Sequence, residues 1–210
     1  MTDTTQIADK TLIMIVGPTS MGKTTLMAAA AELDPEFSYV ISFTTRTARA
    51  GEDTYRFITR TEASELRDSG QAITFVNHPT TGDYYGTTIE SYTTPYNLLD
   101  ALSGTVAQYR GLGFKSTVTI SLYAEVAEWK AWFLKRYPEP TLEAQKRLDE
   151  ARSSLAWSLR DSETCWLFNH GDPTDVARRL IEIARGGPRD NGVEKAKALL
   201  EFIKTGTIWS

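Results

Sequence analysis

The run Gly17-Pro18-Thr19-Ser20-Met21-Gly22-Lys23-Thr24 places a cation and a hydroxyl directly behind a glycine-flanked turn, and it fits G-x-x-x-x-G-K-[ST] without a mismatch. Each residue type answers a chemical demand. Glycines let successive backbone N–H groups curl towards phosphate oxygens, and a helix starting here adds the partial positive charge of its N-terminus. Lys23 offers a compact charge to the β and γ phosphates of a nucleoside triphosphate, and the Thr24 hydroxyl can ligate a Mg²⁺ that bridges them. Gly17, Ser20, Gly22, Lys23, Thr24 and Thr25 are therefore candidate ATP-binding residues, with Thr24 as the candidate metal ligand.

A second group follows in Ser42-Phe43-Thr44-Thr45-Arg46-Thr47-Ala48-Arg49-Ala50-Gly51-Glu52, where Arg46 and Arg49 stand at i and i+3 and Tyr55 comes soon after. Two guanidiniums and a phenol can converge on one dianionic phosphate, because arginine presents paired donors in a rigid fork. Gly82-Asp83-Tyr84-Tyr85-Gly86-Thr87 supplies another tyrosine and another hydroxyl. The two histidines, His78 and His170, lack the spacing of a metal site and read as polar surface residues. Cys165 is the only cysteine, so no intramolecular disulfide can form, and it reads as a small buried apolar side chain.

The elements that must position these groups alternate in type. Thr11 to Val16 is short, apolar and β-branched, as expected of a strand buried on both faces, and Lys23 to Leu33 resumes as an Ala-rich helix. Tyr39 to Ser42 reads as a second short strand. The next stretch is rich in Thr, Arg, Tyr and Gly, with strand-like pieces at Tyr55 to Ile58 and Ala72 to Val76 around a short helix at Thr61 to Arg67. It is too long for a connection and reads as an inserted lobe. Core strands return at Tyr96 to Ala101, Thr117 to Leu122 and Cys165 to Phe168. Helices are expected at Ala124 to Arg136, Thr141 to Leu159 and Asp175 to Ala184. Gly186-Gly187-Pro188 ends the last of these, and the amphipathic stretch Val193 to Ile203 is expected to pack back on the domain. Strand, glycine loop and helix in alternation give an α/β fold with a mostly parallel sheet.

The bulk properties agree with one enzyme-sized domain. A chain of 210 residues can bury a sizeable core, and 41% hydrophobic with 24% charged residues is ordinary for a globular protein. A net charge of -4 argues against a protein that coats nucleic acid. No apolar run reaches membrane-spanning length, and Met1 to Lys10 lacks a signal-peptide core. The expectation is a cytoplasmic protein with neither a membrane nor a nucleic-acid partner.

From about Leu12 to Ala184 the chain resembles the guanylate kinase family. The resemblance rests on the phosphate loop, on TTR-x-x-R-x-GE at Thr44 to Glu52, and on YYGT at Tyr84 to Thr87. It implies a P-loop kinase with a mostly parallel core sheet flanked by helices, an inserted mixed α/β nucleoside-monophosphate lobe and a helical lid. The implied domain spans 1–187, with core 11–42 and 96–187, lobe 43–90 and lid about 136–147, followed by a helical tail at 188–210. It also implies transfer of a phosphoryl group from ATP, with Mg²⁺, to a nucleoside monophosphate. By the same resemblance Ser42, Arg46, Arg49, Tyr55 and Tyr85 hold the acceptor phosphate, and Thr87 faces the base. Asp100 lies near the metal and the acceptor, Arg136 and Arg147 touch the moving phosphoryl group with Lys23, and Asn169 lines the adenine.

The chain departs from the family where guanine is read. The family uses a glutamate in F-x-E, whereas this chain has Phe75-Val76-Asn77-His78. Counting from Phe75 puts Asn77 in the glutamate's place, and counting back from Tyr85-Gly86 puts Val76 there, with Asp83 as a further candidate. The expected acceptor is thus a nucleotide read differently, such as a deoxynucleoside or modified-base monophosphate. Two other functions fit the sequence: a non-catalytic binding module of the same fold, and a kinase of a phosphorylated sugar.

Overall fold

The computed structural model describes residues 5–48, 54–78 and 81–209. Strand β1 (Thr11–Val16) is buried along its whole length. It lies in the middle of a sheet because a strand without a polar face must be covered on both sides. Four further strands complete that sheet: β2 (Phe37–Tyr39), β7 (Tyr96–Asp100), β8 (Ser116–Tyr123) and β9 (Cys165–Phe168). The order is β2-β7-β1-β8-β9, and every pairing is parallel.

Alternate residues of β1 serve two cores, as the period of a strand requires. Ile13 and Ile15 pack into the larger one, with α1 (Lys23–Leu33), α4 (Val126–Arg136), α5 (Leu142–Ser158) and α6 (Pro173–Ala184). Leu12, Met14 and Val16 face a smaller core that includes Val106 and Tyr109 of α3 (Val106–Arg110). That short helix was not expected from the sequence, because five residues carry too little periodicity to read.

The inserted segment forms its own mixed sheet in the order β4-β3-β6-β5. Strand β3 (Ser42–Thr44) runs parallel to β4 (Tyr55–Phe57) and antiparallel to β6 (Tyr84–Thr88), which in turn pairs antiparallel with β5 (Ala72–Asn77). Helix α2 (Arg60–Asp68) precedes β5 and opens with a capping box between Thr59 and Glu62. One expectation is corrected here. Tyr39 to Ser42 is not a single strand: β2 ends at Tyr39 in the core sheet, and β3 begins at Ser42 in the second sheet. Local propensity sees one β-prone run, whereas the partners belong to two sheets. The YYGT segment, for which no element was expected, lies in the strand β6.

Helix α7 (Val193–Thr205) packs back as expected, burying Ala196, Leu199, Leu200 and Ile203. Arg152 on α5 donates to the Ile203 carbonyl at 3.0 Å, and the Trp209 indole N–H donates to the Tyr137 carbonyl at 3.0 Å. The tail is therefore tied to the α4–α5 hairpin at its turn and within α5. Among the described residues no helix is long and apolar enough to cross a membrane.

Candidate active site

The loop after β1 is shaped by backbone that few residues tolerate. Gly17 has φ 135°, and a Cβ there would lie 3.1 Å from the Leu122 carbonyl oxygen, so only glycine holds this turn. Ser20 takes φ 62° without being glycine, a strained conformation of the kind that clusters at ligand-binding loops. Its hydroxyl is buried and has no hydrogen-bond partner among the described residues. The loop is braced from outside: the Trp129 indole donates to the Thr19 carbonyl at 3.0 Å, and the Asn169 amide donates to the Met21 carbonyl at 2.8 Å. Lys23 Nζ donates to the Gly17 and Pro18 carbonyls at 3.2 Å each. A cation, an orphaned hydroxyl and the first turn of α1 thus converge on one concavity, the donor set that a triphosphate's oxygens require.

This concavity is one wall of a cleft of about 1700 Å³. Thr24 and Thr25 line it beside Lys23. A second wall carries Ser42, Arg46, Tyr55 and Tyr85, and a third carries Arg136 and Arg147. Asp100, at the end of β7, lies between the first two walls with a carboxylate oxygen 3.9 Å from Lys23 Nζ. Burial pushes the Asp100 carboxyl above its usual range, and the Lys23 charge opposes this. Burial likewise pushes the Tyr55 phenol far up, with the Asp100 charge adding to it, so Tyr55 stays a hydrogen-bond donor. The Arg46 guanidinium stacks 5.5 Å from the Tyr55 ring centroid, and Tyr55 meets Tyr85 edge-on at 5.8 Å. These contacts hold three side chains able to donate to an anion in one patch.

Several expected residues stand elsewhere. Arg49 lies outside the described residues. Asn169 does not line the cleft; its amide is spent on the phosphate loop, so it positions that loop from behind. Thr87 is fully buried, its hydroxyl bonded to Thr74 and Tyr92 at 2.8 Å each, and it does not line the cleft either. Asp83 is also absent from the lining. The register settles the two ways of counting: Val76 pairs with Tyr85 and Asn77 with Tyr84, so Val76 shares the Tyr85 face. Asn77 borders the cleft at the strand end, but its side belongs with Phe75 and Tyr84.

His78 overturns the surface reading. It is buried at 6% exposure and lines the cleft next to Tyr85, with ring centroids 5.6 Å apart. Burial lowers its pKa, Arg147 lowers it further, and the charges of Glu150 and Asp83 oppose them. His170 keeps its expected place, exposed and bonded to Glu128 at 2.6 Å. Cys165 is buried, and burial pushes its thiol up. The sequence reading also missed Glu150 and Trp129. Glu150 sits three residues after Arg147, a spacing that brings side chains together on a helix, and accepts from it at 2.8 Å. The buried Trp129 carries an N–H that had to find a partner.

Comparison with known proteins bears on this geometry. A family model for guanylate kinase matches residues 9–94. A guanylate kinase from Syntrophus aciditrophicus is 30% identical over 155 residues, which cover 69% of this chain and 72% of that protein. The chain belongs to the guanylate kinase family. Guanylate kinase from Trichormus variabilis is 39% identical over 83 residues, so the match spans 41% of that relative's length and 38% of this chain. The crystal structure of guanylate kinase from Anaplasma phagocytophilum shares the fold, with a TM-score of 0.55, 18% identity and 84% of each chain covered. The described residues form a P-loop kinase fold, with a mixed sheet inserted after β2 and an α4–α5 hairpin bordering the cleft.

Proposed function

We propose that this protein is an ATP-dependent nucleoside monophosphate kinase, converting (d)NMP and ATP to (d)NDP and ADP, with base recognition that differs from its family's. The observation that carries the reading is the convergence on one cleft of the phosphate loop, the Arg46–Tyr55–Tyr85 patch and the lid arginines Arg136 and Arg147. Two separate anion sites facing each other across an acidic residue suit two phosphorylated substrates better than one.

Lys23 and the loop N–H groups bind the donor phosphates, with Thr24 and Thr25 beside them and the Ser20 hydroxyl given the partner it lacks. The Thr24 hydroxyl and the nearby Asp100 carboxylate are the oxygen ligands suited to a Mg²⁺ carried in by the nucleotide. When bound, that ion would neutralise negative charge on the donor phosphates. Ser42, Arg46 and Tyr55 orient the acceptor phosphate, and Arg136 and Arg147 stabilise charge on the group in flight. Lid closure excludes water, which would otherwise take the phosphoryl group.

The altered base recognition rests on the register: the position on the Tyr85 face is the apolar Val76, which can neither accept nor donate. The test is ADP release with a panel of ribo- and deoxynucleoside monophosphates, using Lys23→Ala as control. Lys23-dependent turnover of one or a few of them is expected. Exclusive, strong turnover of GMP and dGMP would sink the altered-recognition part. Binding of ATP with no turnover of any acceptor points to a non-catalytic module, and turnover of only sugar phosphates to the sugar-kinase alternative.

A further inference from the structure

In the cleft one polar pair, His78 and Glu150, stands between Tyr85 on one side and Arg147 on the other. Continuing the alternation of β5, Thr74, Val76 and His78 follow one another at every second residue on the Tyr85 side. His78 is therefore the first residue beyond Val76 on this side that can make a hydrogen bond. The Thr81 backbone N–H reaches its Nδ1 at 3.4 Å, which makes Nδ1 the acceptor and leaves the proton on Nε2. Across from it, 3.8 Å from Nε2, lies Oε1 of Glu150, on the lid helix α5. That distance is too long for a hydrogen bond. The other oxygen of Glu150 is engaged by Arg147 at 2.8 Å, whereas Oε1 is buried with no hydrogen-bond partner among the described residues. A donor from the lobe and an orphaned acceptor from the lid thus face one another, and both residues line the cleft.

We infer that His78 and Glu150 together read the base of the acceptor nucleotide, Glu150 Oε1 accepting an N–H from the base edge and His78 Nε2–H donating to the neighbouring ring nitrogen or carbonyl. This inference rests on the kinase reading above. It assigns base recognition to side chains that face one another from two separate elements, the end of β5 and helix α5. An incorrect base then leaves Glu150 Oε1 unpaired. Discrimination is read in kcat, because a mispaired base misplaces the acceptor phosphate for transfer. The burial that keeps His78 neutral is consistent with a donor that is not an ion-pair partner of Glu150 at neutral pH.

The experiment pairs a change in the enzyme with a change in the ligand. Wild type and Glu150→Ala are assayed for ADP release with the best natural monophosphate. Each is assayed again with the same nucleotide stripped of its edge N–H: purine riboside 5′-monophosphate for a purine, or 2-pyrimidinone riboside 5′-monophosphate for a pyrimidine. Loss of Arg147's partner affects both ligands and cancels in the comparison. The expected result is a kcat fall on Glu150→Ala at least tenfold larger for the natural nucleotide than for the stripped one. Equal falls for the two ligands would overturn the inference while leaving the kinase reading intact. Absence of wild-type turnover with every monophosphate would overturn the kinase reading itself, and the inference with it. His78→Ala, with the same two ligands, gives an independent variant should Glu150→Ala fold poorly.

Discussion

Lys23 Nζ stands 3.9 Å from the Asp100 carboxylate while donating to two carbonyls of its own loop. The lysine is thus held at the phosphate site by three oxygens, each of which a triphosphate can replace. Lys23→Ala should lower kcat by about 10²- to 10³-fold, the scale of removing one charge-stabilising donor from a transition state. Steady-state ADP release measures this. Retention of more than half of the wild-type rate would contradict the role given to Lys23.

The role proposed for Asp100 comes with a cost in stability. Burial raises its folded-state pKa above the ordinary aspartate value of 3.8. A raised carboxyl favours the folded state below the unfolded pKa, and that contribution is lost as pH climbs through the folded pKa. At neutral pH the ionised side chain is therefore a penalty. Asp100→Asn should raise Tm at neutral pH in the nucleotide-free protein and flatten the dependence of Tm on pH above about 4, while cutting turnover at least tenfold. Thermal melts across pH, beside activity, check the pair of effects. A lower Tm together with full activity would contradict both.

Asn169 braces the phosphate loop through the Met21 carbonyl. Asn169→Leu leaves that carbonyl without its partner, at about 1–2 kcal/mol, and should raise KM for ATP roughly tenfold with little change in KM for the acceptor. Equal changes in both KM values would instead indicate a general loss of structure.

Thr87 belongs to a buried hydroxyl network with Thr74, Tyr92 and Tyr109. Thr87→Val preserves shape and removes the shared hydroxyl, stranding the Tyr92 phenol at about 1–3 kcal/mol. For a chain of this size that is a Tm fall of roughly 3–10 °C, with the ranking of monophosphates unchanged. An altered ranking at unchanged Tm would return Thr87 to the base site.

Asp161 is gripped by Arg110 through two bonds of 2.8 Å each. The hydrogen bond from Arg110 holds its carboxyl below the usual range. A depressed carboxyl stabilises the fold above its unfolded pKa, and that stabilisation is lost as pH falls through the folded pKa. Asp161→Asn should cost about 2 kcal/mol at neutral pH and make the acid limb of the Tm profile shallower below pH of about 4. Wild-type and variant profiles that run parallel through the acid range would rule this out.

The core was legible because its signals are local. An apolar run with no polar face announced β1, and the glycine pattern followed by an Ala-rich helix announced the loop and α1. The elements misread were short ones whose character depends on partners. Tyr39 to Ser42 was split between two sheets, and the five-residue helix α3 carried too little periodicity to be seen.

The site divides along the same line. The amino-acid order alone marked Gly17 to Thr24 as the candidate phosphate loop, because these residues must be contiguous for their backbone N–H groups to point one way. It identified Arg46, Tyr55 and Tyr85 as one patch and Asp100 as a strand-end carboxylate, and the cleft contains all four. Only the tertiary structure decided which side chains line the cleft beyond Tyr85. Strand register turned Val76 and His78 towards Tyr85, hydrogen bonding drew Thr87 and Asn169 away from the cleft, and the α4–α5 hairpin carried Glu150 to within 3.8 Å of His78 from 72 residues along the chain. A one-residue shift in pairing reverses which side chains face the cleft, and the fold of a hairpin sets which helix residue meets them. Neither is encoded in any local run, because both depend on how separate elements pack.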